Sequence, residues 1–341
     1  MTDTMEASDF VALLQSPAGI EHLLTQASPA VHIVLNDVEP NVMEAALASL
    51  APLPIVVIGL AASPGTNTDS DPSMALADLV IDPEHKTDEN DNGTVHEHIE
   101  ATLHACPTAS VALALLLRGA DDRSIPAGLV AESSTYSLLQ AGSEFQSWKS
   151  TRPRKLSSAT NDPVVKVDRQ GNVLHVTLSR PHKHNAVNTA MQHALYEAFT
   201  VAATDPTLTV QLTGEGPSFC AGGDLDEFGS FTNPASAHLV RLERSVGRLI
   251  STMSERVTTV LHGACLGAGI ELPAFGTHVV ARPDARIGLP EVGLGLIPGA
   301  GGTVSVTQRI GRQRTAWLAL SGLTIDAPTA LAWGLVDELT P

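Results

Sequence analysis

The chain has 341 residues, 43% of them hydrophobic and 17% charged, a balance that suits one large folded domain or two ordinary ones. The formal net charge is −17, and the excess sits wholly in residues 1–150, which hold 4 Lys and Arg against 21 Asp and Glu, whereas residues 151–341 hold 16 of each. Such a surface repels phosphate backbones and anionic lipid, so neither nucleic acid nor membrane is expected as a partner.

No apolar run approaches the roughly 18–20 residues of a membrane span, and the opening stretch Met1–Asp9 lacks the basic start of a signal peptide. Cys106, Cys220 and Cys265 are odd in number and lack metal-type spacing. A reducing, cytoplasmic setting is therefore expected.

In chain order, Val31–Leu35 is a β-branched run, Asn41–Leu50 has helical spacing, Pro54–Leu60 reads as a buried strand and Ala75–Ile81 as a short one. The polar segments Ser63–Pro72 and Asp82–Gly93 hold too few apolar side chains to offset the entropy of ordering, so mobile loops are expected there. His96–Leu117 and Ile125–Trp148 are predicted as a pair of helical stretches. Residues 1–94 thus form an acidic α/β extension, 95–150 a helical segment and 151–163 a linker.

The remainder, 164–341, is more regular. Strands are predicted at Val164–Asp168 and Val173–Leu178, with Gly171 in the hairpin turn between them. A helix over Asn188–Ala203, a strand at Leu208–Leu212, a helix over Ala235–Met253 and strands at Val257–Leu261 and Thr277–Ala281 follow. Strands alternating with helices indicate an α/β core.

Three glycine-rich segments punctuate this part: Ser218–Leu225, Gly263–Glu271 and Gly288–Thr303. Glycine lets backbone N–H groups approach a ligand closely, so two such segments, each after a strand, can aim two amides at one oxygen, as an oxyanion hole requires. Taken singly, each is better read as a tight turn.

Together with Leu178–Val187, these segments resemble the enoyl-CoA hydratase/isomerase (crotonase) superfamily, closest to the hydratases, over residues 164–340. The resemblance implies a spiral of β-β-α units, assembly as a homotrimer or dimer of trimers, and acyl-CoA thioester chemistry. Coenzyme A enters as part of the substrate, with no metal or redox cofactor. By position, Glu271 and Glu291 match the family's two catalytic glutamates, and Ala221 and Ala268 its two oxyanion amides. Gly222, Gly223, Asp224 and Leu225 match the segment beside the thioester and pantetheine, Pro290 precedes the second acid, and Lys183 and Ala186 match the segment at the nucleotide end of CoA. The Gly299 N–H would orient Glu291.

Adding water to a 2-enoyl thioester needs a base at the water that attacks C3 and an acid for C2, which explains two carboxyl groups in a mostly apolar pocket. By resemblance Glu271 activates the water and Glu291 delivers the proton. An isomerase needs only one of the two; a hydrolase of the same superfamily and a non-catalytic CoA-binding subunit are the other readings. After Glu271 the chain departs from its relatives, reading Leu272–His278 where a Cys-Asp pair is common. Glu271 itself falls where a helix is expected to begin after Gly269.

The chain stops soon after Ala332–Thr340, where relatives continue into helices that close the acyl pocket. Residues 95–149 resemble those closing helices, so a permuted order is expected in which they precede the core; the plainer alternative is a half-domain packing only on itself. Ends of domains often lie close together at the surface, which makes such reordering possible. No phosphate loop, dinucleotide fingerprint or nucleophile elbow is present. His96, His98 and His104, like His182 and His184, are read as solvated, with no convergent ligand set, and Cys220 as core filler.

Overall fold

The computed structural model describes residues 4–36, 38–61, 72–82, 93–152, 162–230 and 233–340. Residues 63–71 and 83–92, nearly all of the two polar segments expected to be mobile, and most of the 151–163 linker lie outside the described residues.

Alternating burial shapes the N-terminal part. Strands β1 (Thr4–Glu6), β2 (Ala30–Val34), β3 (Val56–Leu60) and β4 (Leu79–Ile81) pair in that order, all parallel. A parallel sheet needs cover on both faces. On one face Val31, Ile33 and Val57 pack against helices α1 (Ala7–Leu14), α2 (Pro17–Leu24) and α3 (Pro40–Leu50), with Phe10, Leu14 and Ala46 fully buried. On the other, Val56, Ile58, Leu79 and Ile81 join a cluster continuous with the C-terminal core.

That continuity runs through four helices: α4 (Val95–Ala105), α5 (Pro107–Arg118), α6 (Ile125–Gln140) and α7 (Ser143–Ser150). The stretch read as one helix from His96 to Leu117 is broken by Pro107, which lacks an N–H and disfavours helical backbone before it, so α4 and α5 are bent by 108°. Gly142 likewise separates α6 from α7. Among the described residues no single helix is long and apolar enough to cross a membrane, although α4 and α5 together have the length and composition.

Strands β5 (Val165–Gln170) and β6 (Val173–Leu178) form the predicted hairpin, with Gly171 at φ 61. Next come α8 (Thr189–Thr204), capped by the Asn188 side chain, and β7 (Thr209–Gly214). The helix expected over Ala235–Met253 is two, α9 (Pro234–Glu243) and α10 (Val246–Ser251), because the Ser245 hydroxyl caps a fresh start by accepting from the Arg248 N–H. Then follow β8 (Val257–Leu261), β9 (Ala264–Leu266), α11 (Ala268–Glu271), β10 (His278–Ala281), β11 (Arg286–Gly288), α12 (Gly302–Ser321), β12 (Thr324–Asp326), α13 (Ala327–Trp333) and β13 (Glu338–Leu339).

These strands climb two sheets in step. The larger sheet has the order β13-β10-β8-β7-β6-β5 and the smaller β12-β11-β9. After β7, Cys220 bridges Cys265 of β9; β8 runs on into β9, and β10 into β11. Each turn of chain therefore lays one strand on each sheet, the spiral of β-β-α units expected from the sequence. The smaller-sheet strands are only three residues long, too short for a period-2 pattern to reveal.

The two parts are joined at Asp78, which is 3% exposed. Its carboxylate accepts from the Val57 N–H at 2.8 Å and from Arg118 of α5 at 2.6 and 2.8 Å, and lies 3.6 Å from Arg312 of α12. Arg118 spends its remaining donors on the carbonyls of Leu50, Leu53 and Ile55. A buried charge is tolerable only with such complete pairing.

Candidate active site

Glu271 closes α11 rather than opening a helix, because the turn starts earlier, at Gly267 with φ 49. A side chain there is excluded twice over: the backbone is left-handed, and a Cβ would lie 2.1 Å from the Glu291 Oε1. Glu291 opens a single 3-10 turn, Glu291–Leu294, directly after Pro290. Both glutamates are buried, at 2% and 7% exposure. They line one cavity of about 240 Å³ together with Gly223, Ala268 and Gly299, all residues singled out in the sequence.

A third carboxyl group lines the same cavity and was not foreseen. Glu132 projects from α6, 2% exposed, and grips the loop that leads into α12. Four consecutive amides of that loop alternate between two acids. Ala300 and Gly302 donate to Glu271 Oε2, each at 2.8 Å; Gly301 donates to Glu132 Oε1 at 2.8 Å, and the Thr303 N–H and hydroxyl to Glu132 Oε2 at 2.9 and 2.7 Å. These amides precede or open α12, where no intrahelical acceptor exists and negative charge is favoured. Nothing in the sequence around Glu132 marks it apart from a helical position between apolar neighbours.

Burial is the first cause of every shift here. It raises Glu271 to about 7, against two backbone N–H donors that pull it down. It raises Glu132 to about 8, with the Glu271 charge adding to it and the Thr303 and Gly301 donors opposing. Glu291 is raised well above the ordinary carboxyl range by burial and then by Glu271, and its Oε2 has no hydrogen-bond partner among the described residues. A buried carboxyl group with an unpartnered oxygen and another acid beside it is the one best suited to hold a proton. Glu132, which accepts three donors, is built as an acceptor.

Tyr136, one turn beyond Glu132, presses its ring on Gly299, where a Cβ would come within 2.5 Å of it. The Arg241 guanidinium stands over the same ring at 4.7 Å and donates from Nε to the Ser133 hydroxyl at 3.1 Å, bringing a cation to the cavity wall. Burial pushes the Tyr136 hydroxyl up, so it stays neutral.

Several sequence expectations need correcting. The Ala221 N–H donates to the His184 carbonyl at 2.9 Å and so is not free for a ligand. Two residues on, Gly223 bridges Val187 through the Gly222 carbonyl and the Asp224 N–H, leaving its own N–H on the opposite edge of a segment that lines the cavity. The first amide facing the cavity is therefore that of Gly223. Ala268, in the first turn of α11, keeps the expected place, as first-turn amides have no intrahelical acceptor.

Among the described residues no hydrogen bond from Gly299 orients Glu291: the loop amides hold Glu271, through Ala300 and Gly302, and Glu132, through Gly301 and Thr303. Asp224 faces Arg180, 2.9 Å away, in a buried ion pair, and with Gly222, Leu225 and Pro290 it stays out of the cavity lining. Lys183 lies 2.7 Å from Asp226, and the Ala186 carbonyl accepts from Arg180; neither lines the cavity. Cys220 is core filler as expected, its thiol pushed up to about 12 by burial.

The sequence of this part of the chain is similar to that of known proteins. The sequence profile of the family described as enoyl-CoA hydratase/isomerase matches residues 168–341. A 2,3-dehydroadipyl-CoA hydratase of Escherichia coli is 36% identical over 176 residues, 51% of this chain and 68% of that protein. A mevalonyl-coenzyme A hydratase of Aspergillus fumigatus is 37% identical over 174 residues, 49% of this chain and 62% of that protein. The chain thus spans about two thirds of the length of the relatives it matches. Among solved structures, an enoyl-CoA hydratase from Thermoplasma volcanium is 36% identical, with 52% of this chain and 72% of that one covered and a TM-score of 0.49. With the profile spanning half the chain and two buried glutamates meeting in one cavity, the protein belongs to the enoyl-CoA hydratase/isomerase family.

Proposed function

We propose that the protein adds water across the double bond of a 2-enoyl-CoA to give a 3-hydroxyacyl-CoA. The observation that carries this reading is the pairing of unlike acids in one cavity: Glu271, held by the Ala300 and Gly302 amides, and Glu291, buried with an unpartnered oxygen. Two carboxyl groups whose surroundings differ in this way divide into a base and an acid.

The step balances as follows. Glu271 takes a proton from water as the water oxygen bonds to C3; the C2–C3 π electrons move toward the thioester, whose oxygen gains negative charge; Glu291 gives its proton to C2. In this reading the Gly223 and Ala268 amides meet that developing charge, a contribution of roughly 3–4 kcal/mol per donor. Carboxyl groups and amides suffice, and coenzyme A enters as the handle of the substrate.

Helices α6 and α7 serve in this proposal as the closing helices of the site, because α6 brings Glu132 and Tyr136 to the cavity while α7 packs near Glu291's turn. Lys183, one-third exposed, is proposed to meet the nucleotide end of CoA, and the active form to be a homotrimer or a dimer of trimers.

The experiment is hydration of crotonyl-CoA, followed as loss of the conjugated-enoyl absorbance. Turnover lowered by orders of magnitude in both Glu271→Gln and Glu291→Gln supports the two-acid scheme. Turnover undiminished in both variants refutes it, and inactivity of the wild type on every enoyl chain length favours a CoA-binding subunit.

A further inference from the structure

His32 lies on β2, 1% exposed, under the face of the N-terminal sheet that α4 covers. From α4, His96 and Glu100, four residues apart and so on one side of the helix, meet it. One ligand-type atom from each of the three lies within 4.8 Å of the others, and the two imidazole rings stand 5.3 Å apart at a 60° tilt.

The cluster is poorly satisfied by the protein itself. His32 Nε2 and Glu100 Oε1 are 3.0 Å apart, yet neither finds a hydrogen-bond partner of acceptable direction. His32 Nδ1 and His96 Nδ1 are also buried without a partner among the described residues. A plain ion pair between protonated His32 and Glu100 would use one imidazole nitrogen and leave the other two orphaned. Buried polar atoms are paired in nearly all native structures, so orphans converging from two elements need an explanation. The expectation that His96 is solvated fails here, because its Nδ1 turns inward, whereas His104, two turns along the same helix, is exposed as expected.

We infer that His32, His96 and Glu100 bind a divalent transition-metal ion of the zinc class. Two imidazoles and a carboxylate are the nitrogen and oxygen donors that such ions take, and a single ion would take one ligand atom from each of the three side chains, where a shared proton can join only two. The ion would tie α4 to β2. Since α4 leads through α5 to α6, it would steady the element that carries Glu132. The inference is independent of the proposed hydration.

The test uses the full-length protein, stripped with a chelator and dialysed, then titrated with Zn²⁺ in competition with a chromophoric chelator and separately with Co²⁺. One equivalent of Zn²⁺ is expected, with Co²⁺ giving visible d–d bands. His96→Ala and Glu100→Gln should each weaken binding at least about tenfold, the floor set by loss of even an outer-shell partner. His104→Ala should leave it unchanged. Zn²⁺ should raise the thermal midpoint of the wild type and not of the His96→Ala, Glu100→Gln double variant. Absence of a saturable equivalent, or one that persists in that double variant, overturns the inference.

Discussion

The two halves of the chain reach the same four amides from opposite sides. The C-terminal half delivers Glu271 to Ala300 and Gly302 from a glycine-bounded turn between sheet strands. The N-terminal half delivers Glu132 to Gly301 and Thr303 from the middle of an ordinary helix. The first acid has one oxygen taken by amides and the other left for chemistry; the second has both taken. The difference separates a group placed to react from a group placed to hold, although burial raises the proton affinity of each.

The sharpest way to break this comparison is to remove the reacting acids. Glu271→Gln and Glu291→Gln should each lower turnover of crotonyl-CoA by about 10²–10⁴-fold, the usual worth of a positioned proton donor or acceptor. Glu132→Ala should behave differently. It strands three buried donors, each worth about 1–3 kcal/mol when left unsatisfied, so the midpoint of urea unfolding should drop markedly. Turnover should fall too, since the amides that hold Glu271 loosen. An unfolding midpoint unchanged in Glu132→Ala would show that α6 does not anchor the loop.

Acidity gives a finer test. A base with its pKa raised to about 7 must be ionised to act, so kcat/KM should fall as pH drops through about 7, and the residual activity of Glu271→Gln should lack that limb. Stability should run the other way. A carboxyl group that holds its proton more tightly folded than unfolded destabilises the fold when ionised. Lowering the pH from about 7 toward the ordinary carboxyl range should therefore stabilise the wild type relative to Glu271→Gln in matched denaturant titrations.

The smallest effect is expected furthest from the cavity. Lys183 pairs with Asp226 at a partly exposed site, and such pairs contribute about 0–1 kcal/mol. Lys183→Ala should leave the unfolding midpoint nearly unchanged and raise KM for a CoA thioester several-fold with kcat preserved. A fall in kcat with KM unaltered would place Lys183 in the chemistry instead.

Much of this protein could be read along the chain. The longer strands of the C-terminal part were visible because five or six residues suffice for an alternating or β-branched pattern, and β6 and β8 match their predicted bounds. Glu271, Glu291 and Ala268 came from the resemblance to the family, which is carried by glycine-rich segments whose spacing leaves a signature wherever backbone must come close, as at Gly267 against Glu291. The same signature misplaced the first amide by two residues. Spacing locates the turn, but which N–H is free depends on His184 taking that of Ala221, a contact across 37 residues of chain.

What the sequence determined, then, is whatever local backbone chemistry dictates: the helix break at Pro107, the hairpin at Gly171 and the glycine-rich turns that bear the two acids. Tertiary structure alone decided that Glu132 shares their cavity, that Asp78 sits between Arg118 and Arg312, and that His32 meets His96 and Glu100. Each of these is a polar group whose meaning lies in burial and in partners distant along the chain. No residue type or periodicity encodes such a meeting, because the desolvation that gives the group its importance exists only once the halves have packed.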